Sequence, residues 1–153
     1  MPMQPHRPFK RRFRIGAAAV CLALAAMAGA AHAQAIEAPP LGLELNKLEP
    51  AENGCRMLMV VDNRSGTALS VIKLDLVFFQ PDGVIGKRIV LDLAPVRASK
   101  RGVKAFDIDK LKCEGIGSIL INDVLDCRAD AGPVFDCLSH LQLKTLSNVE
   151  LSK

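Results

Sequence analysis

The segment from Leu125 to His140, LDCRADAGPVFDCLSH, holds the side chains best suited to chemistry in this sequence. Nine residues separate Cys127 from Cys137, and His140 follows closely. Two thiolates can form a redox couple, and together with an imidazole they can bind zinc or copper. In an oxidising compartment the same two cysteines would instead form a structural disulfide. The choice therefore depends on the compartment in which the chain folds.

Residues 1–33 have the organisation of a secretory signal peptide. Five basic residues and no acidic residue precede the apolar, small-residue run 15–30. Ala31 and Ala33 supply the small side chains that signal peptidase requires, which predicts a mature chain beginning at Gln34. A membrane span needs about 20 strongly apolar residues, and this run is shorter and rich in Ala and Gly. We therefore expect cleavage, and no stable membrane anchor after it.

The export route depends on the basic segment KRRFR, Lys10–Arg14. Twin-arginine signals place an aromatic residue one position beyond an Arg pair, whereas here Phe13 follows Arg12 directly. Pairing Lys10 with Arg11 restores the spacing. Sec and Tat export both remain open, and either route predicts a periplasmic or secreted protein.

The basic charge of the chain belongs to this leader. The chain has 20 basic and 16 acidic residues, and residues 1–33 hold five of the basic ones and no acidic one, so residues 34–153 carry a net charge of about −1. Trp and Tyr are absent from the whole chain. Nucleic-acid binding, which relies on a basic face and stacking aromatic residues, is therefore not expected.

Four cysteines follow the leader: Cys55, Cys113, Cys127 and Cys137. An even number in an exported chain predicts two disulfides, for which three connectivities exist. We favour Cys55–Cys113 and Cys127–Cys137, because the second pair encloses a loop with Gly132 and Pro133 that can fold back on itself.

The alternative is a thiol-redox or copper/zinc site formed by Cys127, Cys137 and His140. Redox cysteines commonly lie in a Cys-x-x-Cys turn at a helix start, and neither that spacing nor a helical pattern occurs here. Met57 and Met59 could add copper ligands, but their two-residue spacing is typical of a buried strand that methionine simply fills. No resident metal or other cofactor is therefore expected.

No catalytic arrangement is evident elsewhere. Ser139 and His140, as neighbours on a strand, would point to opposite faces and could not act as nucleophile and base. The acidic pairs Asp107 with Asp109 and Asp123 with Asp126 are expected to be separate, solvated groups. We therefore predict that the protein is not an enzyme.

The rest of the sequence indicates an all-β domain. Residues 34–40 are predicted to be a flexible tether, and residues 41–153 one domain. Leu69–Phe79 alternates apolar and polar residues, and the turn QPDG leads from it into a second strand, Val84–Leu93. Further strands are expected in LGLELNKL, CRMLMVVD, VKAFDI, CEGIGSILINDV and LQLKTLSNVELS, with Ala94–Gly102 as a connection. About seven short strands predict a two-sheet, antiparallel, immunoglobulin-like β-sandwich.

Part of this pattern resembles a known kind of module. Val60–Gly83 resembles the FxLYD-type and related immunoglobulin-like modules of bacterial envelope proteins, and Phe106, Asp107 and Ile108 match their later F-D-I-like strand. The whole mature chain, including LELNKLEP, CEGIGSILINDVLDC and the paired cysteines, is also similar to alphaproteobacterial exported proteins labelled only "Tat pathway signal sequence domain protein". These resemblances imply an exported sandwich, and they supply no catalytic residues that could be carried over to this chain.

Two groups of residues are candidates for a binding surface. The first group is apolar and lies on the polar side of the long strand, and it consists of Val71, Val77 and Phe79. The second group is a basic cluster suited to anionic lipid or polysaccharide, and it consists of Arg97, Lys100, Arg101 and Lys104. We therefore expect an exported, non-enzymatic binding or accessory module, with an envelope protein as the candidate partner.

Overall fold

The structure is a computed structural model that describes residues 36–37 and 40–153. The predicted cleavage site at Ala31, Ala33 and Gln34 lies outside the described residues. The strands are β1 Ile36–Glu37, β2 Leu41–Ala51, β3 Gly54–Asn63, β4 Leu69–Phe79, β5 Ile85–Asp92, β6 Lys100–Asp109, β7 Ser118–Ala129, β8 Gly132–Phe135, β9 Leu141–Thr145 and β10 Glu150–Ser152. A 3₁₀ turn, Cys113–Gly115, precedes β7, and a single helical turn, α1 Cys137–His140, precedes β9.

The strands form two sheets. Sheet I has the order β6-β3-β2-β9, and sheet II has the order β1-β8-β7-β4-β5, with β10 also paired to β7. The chain crosses between the sheets after β1, β3, β5, β6, β8 and β9. In this arrangement β2, β3 and β6 occupy the A, B and E positions of an immunoglobulin-type sandwich, and β4 and β7 occupy the C and F positions. The predicted all-β sandwich is confirmed.

The pairing differs in detail from the expected antiparallel pattern of about seven strands. The described residues form ten strands, and β1 with β8, β2 with β9 and β7 with β10 pair in parallel. The C-terminal segment does not form a hairpin, because β9 extends sheet I whereas β10 joins sheet II. Residues 36–37 of the predicted tether pair with Val134–Phe135, so this part of the tether is ordered against sheet II.

The core lies between the two sheets. Alternate residues of β2, such as Leu43 and Leu45, are buried, and so are Ile72, Leu74 and Phe78 of β4. Since side chains alternate across a strand, this two-residue period gives each sheet one apolar face that packs against the other.

The β4–β5 hairpin is confirmed. Gly83 has φ of 85°, which glycine adopts without strain, and its N–H donates to the carbonyl of Gln80 at 2.9 Å. The Gln80 N–H donates in turn to the carbonyl of Val84 at 2.7 Å. The turn therefore fixes the register of the two long strands.

The predicted strand boundaries shift around the cysteines. The segment 113–124 was expected to be one strand, but it begins with the 3₁₀ turn, and β7 runs on to Ala129. Gly117 lies against the β4–β5 turn, where a Cβ would be 2.8 Å from the Gln80 carbonyl oxygen. This close approach, which the glycine allows, brings the chain to the start of β7.

Both expected disulfides are present. Cys55 of β3 is bonded to Cys113 of the 3₁₀ turn, and Cys127 of β7 is bonded to Cys137 of α1. The described part of the chain contains no helix long and apolar enough to span a membrane.

Gly54, at the start of β3, provides a test of this packing. A Cβ at Gly54 would overlap the carbonyl oxygen of Ile108 in β6, whereas a Cβ at Gly102 would meet no atom within 4 Å. We expect Gly54→Ala to lower the free energy of unfolding by about 2 kcal/mol, since backbone must move to admit the methyl group. Gly102→Ala is the control and should change it by less than about 1 kcal/mol. Urea denaturation measures both, and equal values would contradict the close β3–β6 approach.

Candidate functional site

The edge strand β6 changes character along its inward face. Ile108 is buried in the core, but further toward the start of the strand the inward positions are Lys104, Gly102 and Lys100. These three residues pair with Met59, Val61 and Asn63 of β3, all of which are buried. This end of the inter-sheet space is therefore basic on one side and mainly apolar on the other.

The opposite wall is the segment between β5 and β6. Val96 and Leu69 exchange two backbone hydrogen bonds, of 2.8 and 2.9 Å, which attach this segment to sheet II. The fully buried Asn63 donates from Nδ2 to the carbonyls of Thr67 at 2.8 Å and Arg97 at 3.1 Å. A single carboxamide thus holds the end of β3 and the 94–97 segment together.

A cavity of about 240 Å³ lies between these walls. We call it the basic cavity, and its lining residues are Val61, Pro95, Val96, Arg97, Lys100, Gly102 and Lys104. Lys104 is partly buried, and its Nζ donates to the carbonyls of Ala94 at 3.1 Å and Pro95 at 3.3 Å. The ammonium group therefore braces the rim, while Arg97 and Lys100 are exposed at the opening.

The fourth residue of the predicted basic cluster lies elsewhere. Arg101 points to the outer face of sheet I, where its guanidinium is 3.8 Å from the carboxylate of Glu44. Glu44 also accepts a hydrogen bond of 2.9 Å from Asn46 and lies 3.2 Å from Lys144. The hydrogen bond from Asn46, followed by that from Lys144, lowers the pKa of the Glu44 carboxyl group. Arg101 thus contributes to an ion-pair cluster on the outer face and not to the basic cavity.

The predicted connection Ala94–Gly102 contains three of the four basic residues, Arg97, Lys100 and Arg101. The prediction is wrong for Lys100 and Arg101. Lys100 and Arg101 belong to β6, and seven residues, 93–99, separate the end of β5 from its start. The predicted start of the strand was late because Lys-Arg-Gly has low strand propensity, whereas pairing with Asn63 and Asp62 of β3 extends it.

The predicted apolar surface on β4 is interrupted by charge. Val77 is buried, and Val71 and Phe79 are half-buried. Between them lies Asp75, whose side chain is 2% exposed and accepts two hydrogen bonds of 2.7 Å from Arg88.

Asp75 is held as a carboxylate by this arrangement. The hydrogen bonds from Arg88 and a further one of 2.7 Å from Asn122 lower its pKa, and burial opposes them. The same contact raises the pKa of the Arg88 guanidinium. The outer face of sheet II therefore carries a closed polar network of three side chains, one from each of β4, β5 and β7.

The cysteine segment is organised around its disulfide. Cys127 lies in β7, and the chain turns at 130–131 into β8 before Cys137 begins α1. Ser139 and His140 lie on this helical turn and not on a strand, and their Oγ and Nδ1 atoms are 3.2 Å apart. The expectation that they point apart is therefore wrong, because Cys137–His140 is helical.

Both of these side chains are directed at the same backbone group. Ser139 Oγ donates to the carbonyl of Asp136 at 3.0 Å, and His140 Nδ1 lies 3.0 Å from the same oxygen. Lys153 donates to the carbonyls of Leu138, Ser139 and Leu141, which are those at the end of the turn. The contacts satisfy backbone groups of α1.

The remaining acidic residues are dispersed. Asp107 forms a two-bond ion pair with Arg56, of 2.7 and 3.0 Å, and Asp126 pairs with Arg128. Arg56 lowers the pKa of Asp107 mainly through these hydrogen bonds. Within residues 36–37 and 40–153, no group of three or more His, Cys, Asp or Glu side chains is close enough to hold a metal ion.

The chain matches no protein-family model, no curated protein and no solved structure.

Sequence reasoning identified the cations of the basic cavity but missed its apolar lining and the carboxamide that holds its walls together. Val61 was assigned to a core strand, Val96 to a connection, and Asn63 to a turn. The signal for Asn63 was present in its position directly after an apolar strand, where a carboxamide can bond the backbone of the following turn.

The Asp75 network predicts a pH dependence of stability. The pKa of Asp75 is lowered in the folded protein, so its ionic contribution is present above the ordinary value of 3.8 and is lost as the pH falls through the folded-state value. Asp75→Asn should be less stable than wild type near neutral pH, and this difference should shrink on acidification toward about pH 2. Thermal melts across this range measure it, with the exposed Asp130→Asn as control. A difference that stays constant with pH would contradict an ionised, paired Asp75.

Proposed function

We propose that this protein is an exported, non-catalytic binding or accessory module of the bacterial envelope, and that the basic cavity is its ligand-binding surface. The two disulfides carry the first part of this proposal. Disulfides persist in oxidising compartments and are rare in the cytosol. Both predicted pairs are formed here, and each joins a central strand to a segment outside the sheets.

The composition of the cavity supports a particular class of ligand. Arg97 and Lys100 lie at the opening, whereas Val61, Val96 and Pro95 form an apolar lining. This combination suits an anionic group attached to a small apolar portion, such as a lipid headgroup with the first part of its chain. The rest of residues 34–153 is slightly acidic, so attraction for an anion is concentrated at this end of the domain.

The geometry around the cavity favours binding without large rearrangement. Asn63 and Lys104 connect the cavity walls by four hydrogen bonds to backbone carbonyls. Side chains held in this way lose little further freedom when a ligand binds, which lowers the entropic cost of association.

The thiol or metal alternative needs free thiolates. Cys127 and Cys137 are joined in a disulfide, so they would become ligands only after reduction. The similarity to alphaproteobacterial Tat-type exported proteins and to immunoglobulin-like envelope modules stays part of the proposal, and it agrees with a binding role.

Export and oxidation can be tested together. When the full chain is expressed in a Gram-negative host, we expect the periplasmic product to begin at Gln34 and to show no titratable thiol after denaturation. Replacing Ala33 by Phe should slow processing, because signal peptidase requires a small residue there. Intact-mass and thiol measurements give the result. Two free thiols in the periplasmic protein would favour the redox or metal alternative.

Charge reversal at the cavity mouth tests the ligand class. Lys100→Glu should weaken binding to phosphatidylglycerol vesicles about tenfold, as each basic residue near an anionic surface contributes about 1 kcal/mol. Lys112→Glu makes the same change of net charge at an exposed position outside the cavity lining and is the control. Vesicle co-sedimentation, with phosphatidylcholine vesicles for comparison, measures the effect. Equal weakening by both variants would show that binding depends on net charge and would exclude the cavity as the lipid site.

A further inference from the structure

The edge strand β5 exposes apolar side chains to solvent. Ile85 is 61% exposed and Val90 is 59% exposed, and Val84, directly before the strand, is 56% exposed. Among the described residues, β5 pairs with β4 alone, so its other side presents unpaired backbone groups. Such an edge is a template for another strand unless charges protect it.

The two cations of β5 are directed away from this edge. On the outer face of sheet II, Arg88 reaches toward β4 and bonds Asp75. On the core-facing side, Lys87 lies opposite Phe78 and donates from Nζ to the carbonyl of Asp109 at the end of β6. Lys104 likewise points inward from β6, the other edge on this flank, and an inward charge is a common protection against pairing. Each of the two edge strands therefore carries one core-facing lysine, whereas the stretch of β5 from Arg88 to Asp92 has only Ile89 and Leu91 on its core-facing row.

The backbone direction of β5 follows from one hydrogen bond. Leu93 donates its N–H to the carbonyl of Ile72 in β4, at 2.9 Å. Because backbone groups alternate sides along an antiparallel strand, Leu91 and Ile89 also face β4. The N–H and C=O groups of residues 88, 90 and 92 therefore point away from β4, toward the open edge of the sheet, where a second strand can pair with them.

The side chains of these same residues are self-complementary. Arg88, Val90 and Asp92 lie on the outer face of sheet II. If a second β5 pairs antiparallel with a two-fold axis at Val90, Arg88 lies opposite Asp92 of the second copy, and Asp92 lies opposite its Arg88. Moving the axis to Arg88 or to Asp92 places like charges opposite each other. Moving it to Ile89 or to Leu91 places one of the two charges opposite Val90 and the other opposite Gly86 or Ala94, so that no opposite charges meet.

The inward row agrees with the same register. With the axis at Val90, Ile89 lies opposite Leu91 of the second copy, so apolar side chains meet on the core side while opposite charges meet on the outer side. The Arg88 side chain is 64% exposed although it is bonded to Asp75, so it is accessible to a second carboxylate. Charge, apolar pattern and backbone direction thus select one arrangement.

We propose that two copies of this chain associate through antiparallel β5–β5 pairing centred on Val90, which joins the two copies of sheet II into one continuous sheet. This association goes beyond the proposed ligand binding and does not depend on it. The occupant of the edge is a second copy, because the outer-face sequence Arg-Val-Asp complements itself when it is reversed.

Sedimentation velocity of the purified, oxidised full chain over a concentration series tests this proposal. Wild type should show a monomer–dimer equilibrium, and Val90→Lys should weaken the dimer about tenfold or more, since two like charges then meet at the axis. Val103→Lys is the matched control, because Val103 is 69% exposed on the other edge strand, β6. It should leave the equilibrium unchanged, and circular dichroism verifies that each variant is folded.

The register is tested by mixing two variants. Val90→Lys and Val90→Asp should each associate weakly alone, but an equimolar mixture should dimerise, because opposite charges then face each other across the axis. A wild-type chain that remains monomeric at all concentrations would overturn self-association. A dimer unaffected by Val90→Lys, or variants that fail to restore each other, would overturn β5 pairing at this register.

Discussion

The structure depends on the burial of two facing rows of apolar side chains, one on β2 and β3 and the other on β4 and β7. Leu45, Met57, Ile72 and Leu74 are fully buried in this interface. Each such side chain contributes about 1.5–3 kcal/mol when it is removed from water. Because alternate residues of each strand belong to this core, the opposite residues must face outward, and the positions of the charged side chains follow from the same constraint.

Among the described residues, three polar side chains are buried despite this arrangement, and each is stabilised by specific partners. Asn63, Asp75 and Glu44 are all less than 10% exposed. Within the described part of the chain, every buried side-chain nitrogen or oxygen has a hydrogen-bond partner. An unpaired buried polar group would cost about 1–3 kcal/mol, so these partners restrict which strands can be neighbours. Asn63 fixes the end of the sandwich that holds the basic cavity, whereas Asp75 joins β4 to both β5 and β7.

The flank formed by β5 and β6 combines the two surfaces to which we assign roles. Both are edge strands, so neither has a second neighbour among the described residues. On β6, basic side chains interrupt the apolar inward face, and the basic cavity opens where the sheets separate. On β5, the cations bond to the body of the domain and apolar side chains remain exposed. The two open edges therefore present different surfaces: β6 is suited to an anionic ligand and β5 to a second strand.

The all-β class, the β4–β5 hairpin and the disulfide framework could be predicted from the amino-acid sequence alone, because alternation, turn residues and the even number of cysteines are local or countable signals. The favoured connectivity was confirmed for Cys127–Cys137, where a short loop made it plausible, and for Cys55–Cys113. Three other features could be seen only in the folded chain: the extension of β6 to Lys100, the helical turn at Ser139 and the parallel partners of β9 and β10. Their conformations depend on partners distant in sequence, and local propensity contains no information about those partners.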